Sequence, residues 1–147
     1  YGISSFTYRT VQPFDAEKLW AFLHDDENWV GVLRSKGFFW VAADDRVAYE
    51  WAQAGGVSAV HPAGLYWAAV PREDWGHPEG QRPDQQPSWH PRFGDRAQQL
   101  VFIGQRMNEG EMRRRLDACL LEENMAEKDR QTWIGLPNPF PSLEMSS

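Results

Sequence analysis

Three apolar runs follow one another with almost nothing between them, and that spacing settles how they must pair. Phe38 to Ala43 and Arg46 to Ala54 are separated only by Asp44-Asp45, and Val57 to His61 follows directly after Gly55-Gly56. A parallel pair needs a crossover of roughly a dozen residues or more, so runs this close can only fold back as antiparallel hairpins, the first with a tight acidic turn. Leu65 to Val70 continues the third run beyond Pro62-Ala63-Gly64, where a bulge or short break is expected because proline has no N–H for the ladder. Upstream, Ile3 to Val11 mixes β-branched and aromatic residues and reads as a first strand. Downstream, Leu100 to Ile103 is apolar at consecutive positions, the pattern of a central strand covered on both faces.

Two helices complete the pattern. Asp15 is placed as an N-cap before a stripe of Ala16, Leu19, Trp20 and Leu23, with Phe14 and Leu19 as a hydrophobic staple. Asn108 caps the second, with Glu111 at the capping-box position and an apolar stripe of Met112, Leu116, Cys119 and Leu120. A further helical turn or two is expected between Met125 and Trp133, ended by Gly135. The order predicts an α+β fold: a largely antiparallel sheet of four to six strands with both main helices on one face. Trp40, Tyr49, Trp51, Tyr66 and Trp67 lie on the strands in numbers that one helical layer does not cover, so some are expected to face another domain. Pro71 to Pro91 holds five prolines and no periodicity, and reads as a flap or mobile insertion.

At 147 residues the chain is long enough for one domain, which buries roughly 70% of its unfolded surface. Residues 1–147 are therefore taken as a single unit. The net charge of -6 leaves no summed positive field for nucleic acid, despite the local patch Arg113-Arg114-Arg115. No stretch approaches the ~20 apolar residues of a membrane span. Cys119 is the single cysteine, which excludes an internal disulfide or a cysteine-rich zinc cluster, and no signal peptide is visible. A cytoplasmic setting fits. The start at Tyr1-Gly2, already on a strand pattern, suggests a piece of a longer protein.

The chemistry-bearing residues are few. A phosphate cradle needs the pattern G-x-x-x-x-G-K-[ST], which is absent; Lys36-Gly37 inverts the order, and Gly94-Asp95 sets a carboxylate where a phosphate would be repelled. The histidines His24, His61, His77 and His90 form no metal signature. His77 and His90 share the proline-rich loop with Glu79 and Asp84, which makes them the weak metal candidates, against the simpler account of polar residues in a solvated loop. His24 ends a helical stripe as a boundary residue, and Cys119 lies on one as a small hydrophobe. Arg34 and Lys36 precede one apolar strand, while Asp95, Arg96, Gln98 and Gln99 precede another. If those strands are neighbours, their leading ends would gather cations, an anion and amides. That gathering could bind an anion, contact a partner, or pair Asp95 with Arg34 or Arg96 while Gln98 satisfies loop backbone.

Leu33-Arg34-Ser35-Lys36-Gly37-Phe38-Phe39-Trp40 and Phe93-Gly94-Asp95-Arg96-Ala97-Gln98-Gln99-Leu100-Val101-Phe102-Ile103-Gly104 share an unusual juxtaposition of charge, glycine and apolar strand. With Pro13-Phe14 and Leu116-Asp117-Ala118-Cys119-Leu120-Leu121, they resemble the C-terminal domain of CobW-type proteins, the GTP-dependent metal chaperones, over about residues 2 to 141. The resemblance implies an accessory domain of a GTP-driven zinc or cobalt chaperone, not catalytic by itself, that couples nucleotide state to metal transfer and partner recognition. It implies no cofactor in this chain; GTP, magnesium and zinc or cobalt would belong to the full-length protein, whose GTPase domain would precede Tyr1. A client metalloprotein is a further implied partner. The motif residues carried over are Arg34, Lys36, Gly37, Gly94, Asp95, Arg96 and Gln98. From the residues alone, two other classes stay open: a small-anion-binding enzyme with the proline-rich loop as its lid, and a pure protein-interaction module.

Overall fold

A computed structural model of the chain describes residues 2–143. Five antiparallel strands, β1 (Ile3–Thr10), β2 (Val32–Val41), β3 (Asp44–Ala54), β4 (Val57–Leu65) and β5 (Gln98–Gln105), form one sheet in the order β1-β5-β2-β3-β4. Helices α1 (Ala16–Leu23) and α2 (Glu109–Asp117) cover one face, and a short α3 (Glu123–Ala126) follows. This is the α+β arrangement that the spacing of the runs predicts.

The helix starts follow from local chemistry. Asp15 accepts the N–H of Lys18 at 3.1 Å, and Asn108 accepts that of Glu111 at 3.1 Å, so each cap satisfies a donor that the first helical turn leaves free. The β2–β3 turn differs from the sequence expectation. Val41 pairs with Asp44, so Ala42-Ala43 turns the chain and both aspartates are strand residues. Asp45 is buried there, held by Arg130 and Arg96. In β4, Tyr49 faces Pro62 and Ala48 faces Gly64, which leaves Ala63 as a bulge on an edge strand where a missing N–H is tolerated.

The inner face packs Phe6, Tyr8, Phe39, Tyr49, Trp51, Leu100 and Phe102 against Leu19, Phe22, Met112 and Leu116. A second cluster lies on the opposite face at one end of the sheet, where Phe93, Trp133, Leu121 and Ala126 enclose Trp40. The expectation of exposed aromatics holds only in part: Trp40, Tyr49 and Trp51 are at most 1% exposed and Tyr66 is buried, while Trp67, just beyond β4, and Phe38 on β2 are exposed. Besides Phe93 and the helices, part of the cover comes from the segment after α2. It docks beside Trp40, hydrogen-bonds the β2–β3 turn through Gly135 N–H to the Ala43 carbonyl, and returns to the inner face, where Phe140 meets Phe39 and Tyr49.

Two further expectations change. The proline-rich segment is anchored: Trp75 is buried, and its indole N–H donates to the carbonyls of Trp67 and Val70, while Arg72 and Arg82 both pair with Asp84. β5 is interior but not covered on both faces, since Ile103 is 38% exposed and Val101 half-buried. One half of the outer sheet face is uncovered.

Candidate functional site

The two charged groups flagged in the sequence lie on neighbouring strands but not together. β2 and β5 are antiparallel, with Arg34 beside Ile103 and Phe38 beside Gln99, so the leading end of one strand meets the trailing end of the other. Arg34 and Lys36 stand at one end of the sheet. Asp95, Arg96 and Gln98 stand at the other, and the single mixed-charge cluster expected from the sequence does not form.

At the second end Asp95, Arg96 and Gln98 are each engaged within the fold. Asp95 accepts the N–H groups of Trp67 and Ala68, both at 2.9 Å, and so closes the turn that follows β4. Arg96 donates to the carbonyls of Asp45 and Phe93, lies over the Trp40 ring and pairs with the Asp45 carboxylate at 3.8 Å. Burial lowers the Arg96 pKa from its ordinary value, and Asp45 opposes that shift. Gln98 is 1% exposed and spends its amide on backbone groups of Trp40 and Gln12. Gly94 has φ 68°, and a Cβ there would come within 2.5 Å of Ala68.

Arg34 and Lys36 belong to an open surface instead. The registers of all five strands set outward side chains in rows across the sheet: Ser5, Ile103, Arg34, Ala54 and Val57, then Thr7, Val101, Lys36, Ala52 and Ala59, then Arg9, Gln99, Phe38, Glu50 and His61. The first two rows bound a groove of about 350 Å³. On the β3–β4 side its floor is made of short side chains, Ala52, Ala54 and Ala59 beside Val57, and Arg34 and Lys36 on β2 separate these from Val101 and Ile103 on β5. Gly37 admits the close approach of β2 to β5, since a Cβ there would overlap the Gln99 carbonyl oxygen. No side-chain hydrogen bond or ion pair engages Arg34 or Lys36 among the described residues. Sequence reasoning missed the alanine floor. Its signal was there in β3, where Ala48, Ala52 and Ala54 alternate with Val47, Tyr49, Trp51 and Gln53.

The metal candidates are placed differently. His90 Nδ1 accepts the N–H groups of Arg92 and Phe93 at 3.0 and 3.1 Å, so that Nε2 is the ring nitrogen without a hydrogen bond among the described residues. His77 packs edge-on against Trp67, with a buried Nδ1 that has no hydrogen-bond partner among the described residues. Among the described residues no three His, Cys, Asp or Glu side chains are grouped to hold a metal ion. Cys119 is buried under α1 and α2, and burial pushes its pKa up to about 11. His24 packs its ring tilted against Trp20 at the end of α1.

Comparison with known proteins agrees with the fold. The family model described as the cobalamin synthesis protein cobW C-terminal domain matches residues 3–120. A zinc-regulated GTPase metalloprotein activator 1 of Dictyostelium discoideum is 35% identical over 139 residues, which cover 91% of this chain and 29% of that protein. The Zn(II)-bound YjiA GTPase of E. coli aligns over 82% of this chain and 30% of its own, with a TM-score of 0.57 and 18% identity. A Zn(II)-bound triple mutant of the YjiA GTPase gives the same TM-score of 0.57 at 16% identity, again over 82% of this chain and 30% of its own. The chain spans less than a third of each of these relatives, and it belongs to the family of cobW C-terminal domains.

Proposed function

We propose that this chain is the accessory C-terminal domain of a GTP-driven zinc or cobalt chaperone, and that it acts by contact rather than by catalysis. The observation that carries this reading is the uncovered half of the outer sheet face, with its alanine-floored groove and two cations that no side chain engages among the described residues. Where the fold covers its sheet it does so thoroughly, so a bare apolar face is a surface that a partner completes. The partner in this reading is the GTPase domain of the same polypeptide, and the contact passes nucleotide state to metal transfer and to a client metalloprotein. The match to part of a zinc-regulated GTPase activator supports the division of labour. The sequence has no phosphate loop of its own.

The test uses the full-length polypeptide. Removing this domain is expected to leave GTP binding in place and to abolish metal delivery to a client. Calorimetric titration of the isolated chain with GTP and magnesium is expected to show no binding. Metal delivery that survives removal, or micromolar GTP affinity in the isolated chain, would overturn the proposal.

A further inference from the structure

The open groove has a definite chemistry. Backbone donors and acceptors in the interior of a sheet are already paired with neighbouring strands, so a lone extended segment laid on the face would find none for its own. A helix satisfies its backbone internally and meets no such obstacle. The floor reaches from β5 across β2 and β3 to β4, about 14 Å at the usual strand spacing, which admits one helix of roughly 10 Å diameter. Alanine at 52 and 54 on β3 and at 59 on β4 lowers the strip immediately beside Arg34 and Lys36 on β2, with Val57 at one apolar edge and Val101 and Ile103 at the other.

Charge narrows the occupant further. The chain carries a net charge of -6, yet this face gathers Arg9, Arg34 and Lys36, none with a side-chain partner among the described residues. The one carboxylate in the three rows, Glu50, already pairs with His61 at 3.5 Å. An apolar element covering the groove would strip water from Arg34 and Lys36, which is unfavourable unless it brings opposite charge.

We infer that the groove receives an amphipathic helix of the GTPase domain whose apolar stripe is flanked by carboxylates, with Arg34 and Lys36 as their partners. This rests on the reading above that a GTPase domain shares the polypeptide. The alanine floor sets the depth of the helix, and the two cations set its register and direction.

The experiment is thiol footprinting of the full-length protein, in which the native Cys119 is buried. Ala52→Cys and Ala59→Cys report on the groove, and Ser88→Cys in the proline-rich segment serves as an exposed control. Maleimide is expected to react about tenfold more slowly at 52 and 59 than at 88, as for a groove covered roughly nine-tenths of the time. A cross-linker attached at position 52 should reach a helical GTPase-domain peptide containing Asp or Glu. Arg34→Glu combined with Lys36→Glu should raise reactivity at 52 and 59 to that of the control. Equal reactivity at all three positions before the reversal, protection that survives the charge reversal, or a cross-link to a segment without carboxylates would each overturn the inference. If the groove is open while domain removal still abolishes metal delivery, the accessory role stands and this inference falls.

Discussion

Gln98 extends the β2–β5 ladder with its side chain: Oε1 accepts the N–H of Trp40 at 2.8 Å, and Nε2 donates to the carbonyl of Trp40 at 2.9 Å. Main-chain pairing between these strands ends at Phe38 and Gln99, so the amide does for Trp40 what a backbone partner would do. The same Nε2 also reaches the Gln12 carbonyl at 2.9 Å, tying the end of β1 into the junction. Gln98→Leu would strand the buried N–H of Trp40, while the Trp40 carbonyl keeps the N–H of Phe14 at 3.3 Å and Gln12 is exposed to water; an unpaired buried donor costs about 1–3 kcal/mol, and stability is expected to fall by that amount. Urea unfolding measures it. A loss below about 1 kcal/mol would show that water replaces the amide.

Asp45 carries a second test. Its buried carboxylate takes a two-pronged hydrogen bond from Arg130, both at 2.7 Å, with Arg96 beside it. Asp45→Ala leaves two guanidinium groups without their anion, and removing one partner of a buried pair typically costs about 3–5 kcal/mol. A double-mutant cycle with Arg130→Ala should show coupling, whereas strict additivity would mean that the pair contributes nothing of its own.

Arg34 is expected to behave in the opposite way. Arg34→Glu breaks no side-chain hydrogen bond or ion pair among the described residues and should shift unfolding free energy by no more than about 0.5 kcal/mol. A large fall in melting temperature would show that Arg34 holds the fold together.

Alkaline pH should weaken the domain. Burial raises the Cys119 thiol from 9.0 to about 11, and burial together with the hydrogen bond to Asp117 raises the Tyr8 hydroxyl. In both cases folding favours the protonated form, so the Cys119 contribution is complete below pH 9 and is lost as pH rises through 11. Denaturant midpoints taken across that window should fall, and less steeply in Cys119→Ala. A flat profile would contradict the assignment.

Zinc binding by this chain is expected to be weaker than micromolar and centred on His77 and His90, because two imidazoles without an organised third ligand make an incomplete site. Competition with a chromophoric chelator reads the affinity. Nanomolar binding that persists after His77→Ala and His90→Ala would locate the site elsewhere.

What could be read in the sequence was local. The Asp15 and Asn108 caps act within three residues, and runs separated by two residues have one way to pair. What could not be read depended on distant chain. The acidic pair looked like a turn because nothing near Asp45 announces Arg130, 85 residues away. Trp40 looked available for a partner because its cover, Phe93 and Trp133, comes from two later segments. The charged motifs looked like one site because the relative direction of β2 and β5 is set by the whole sheet. Arg34 and Lys36 kept their candidacy as surface residues, whereas Gly94, Asp95, Arg96 and Gln98 proved to be engaged in holding the junction.

The segment that crosses the β2–β3 turn also fixes when the domain can finish forming during synthesis. Trp40 waits for Trp133, and Phe39 and Tyr49 wait for Phe140, whose ring lies 5.2 and 5.6 Å from theirs. On the ribosome the nascent sheet must therefore hold aromatic surface bare on both sides until nearly its last turn has emerged, the period in which a growing chain is most adhesive. A message cut short before residue 133 would encode a sticky fragment rather than a smaller domain.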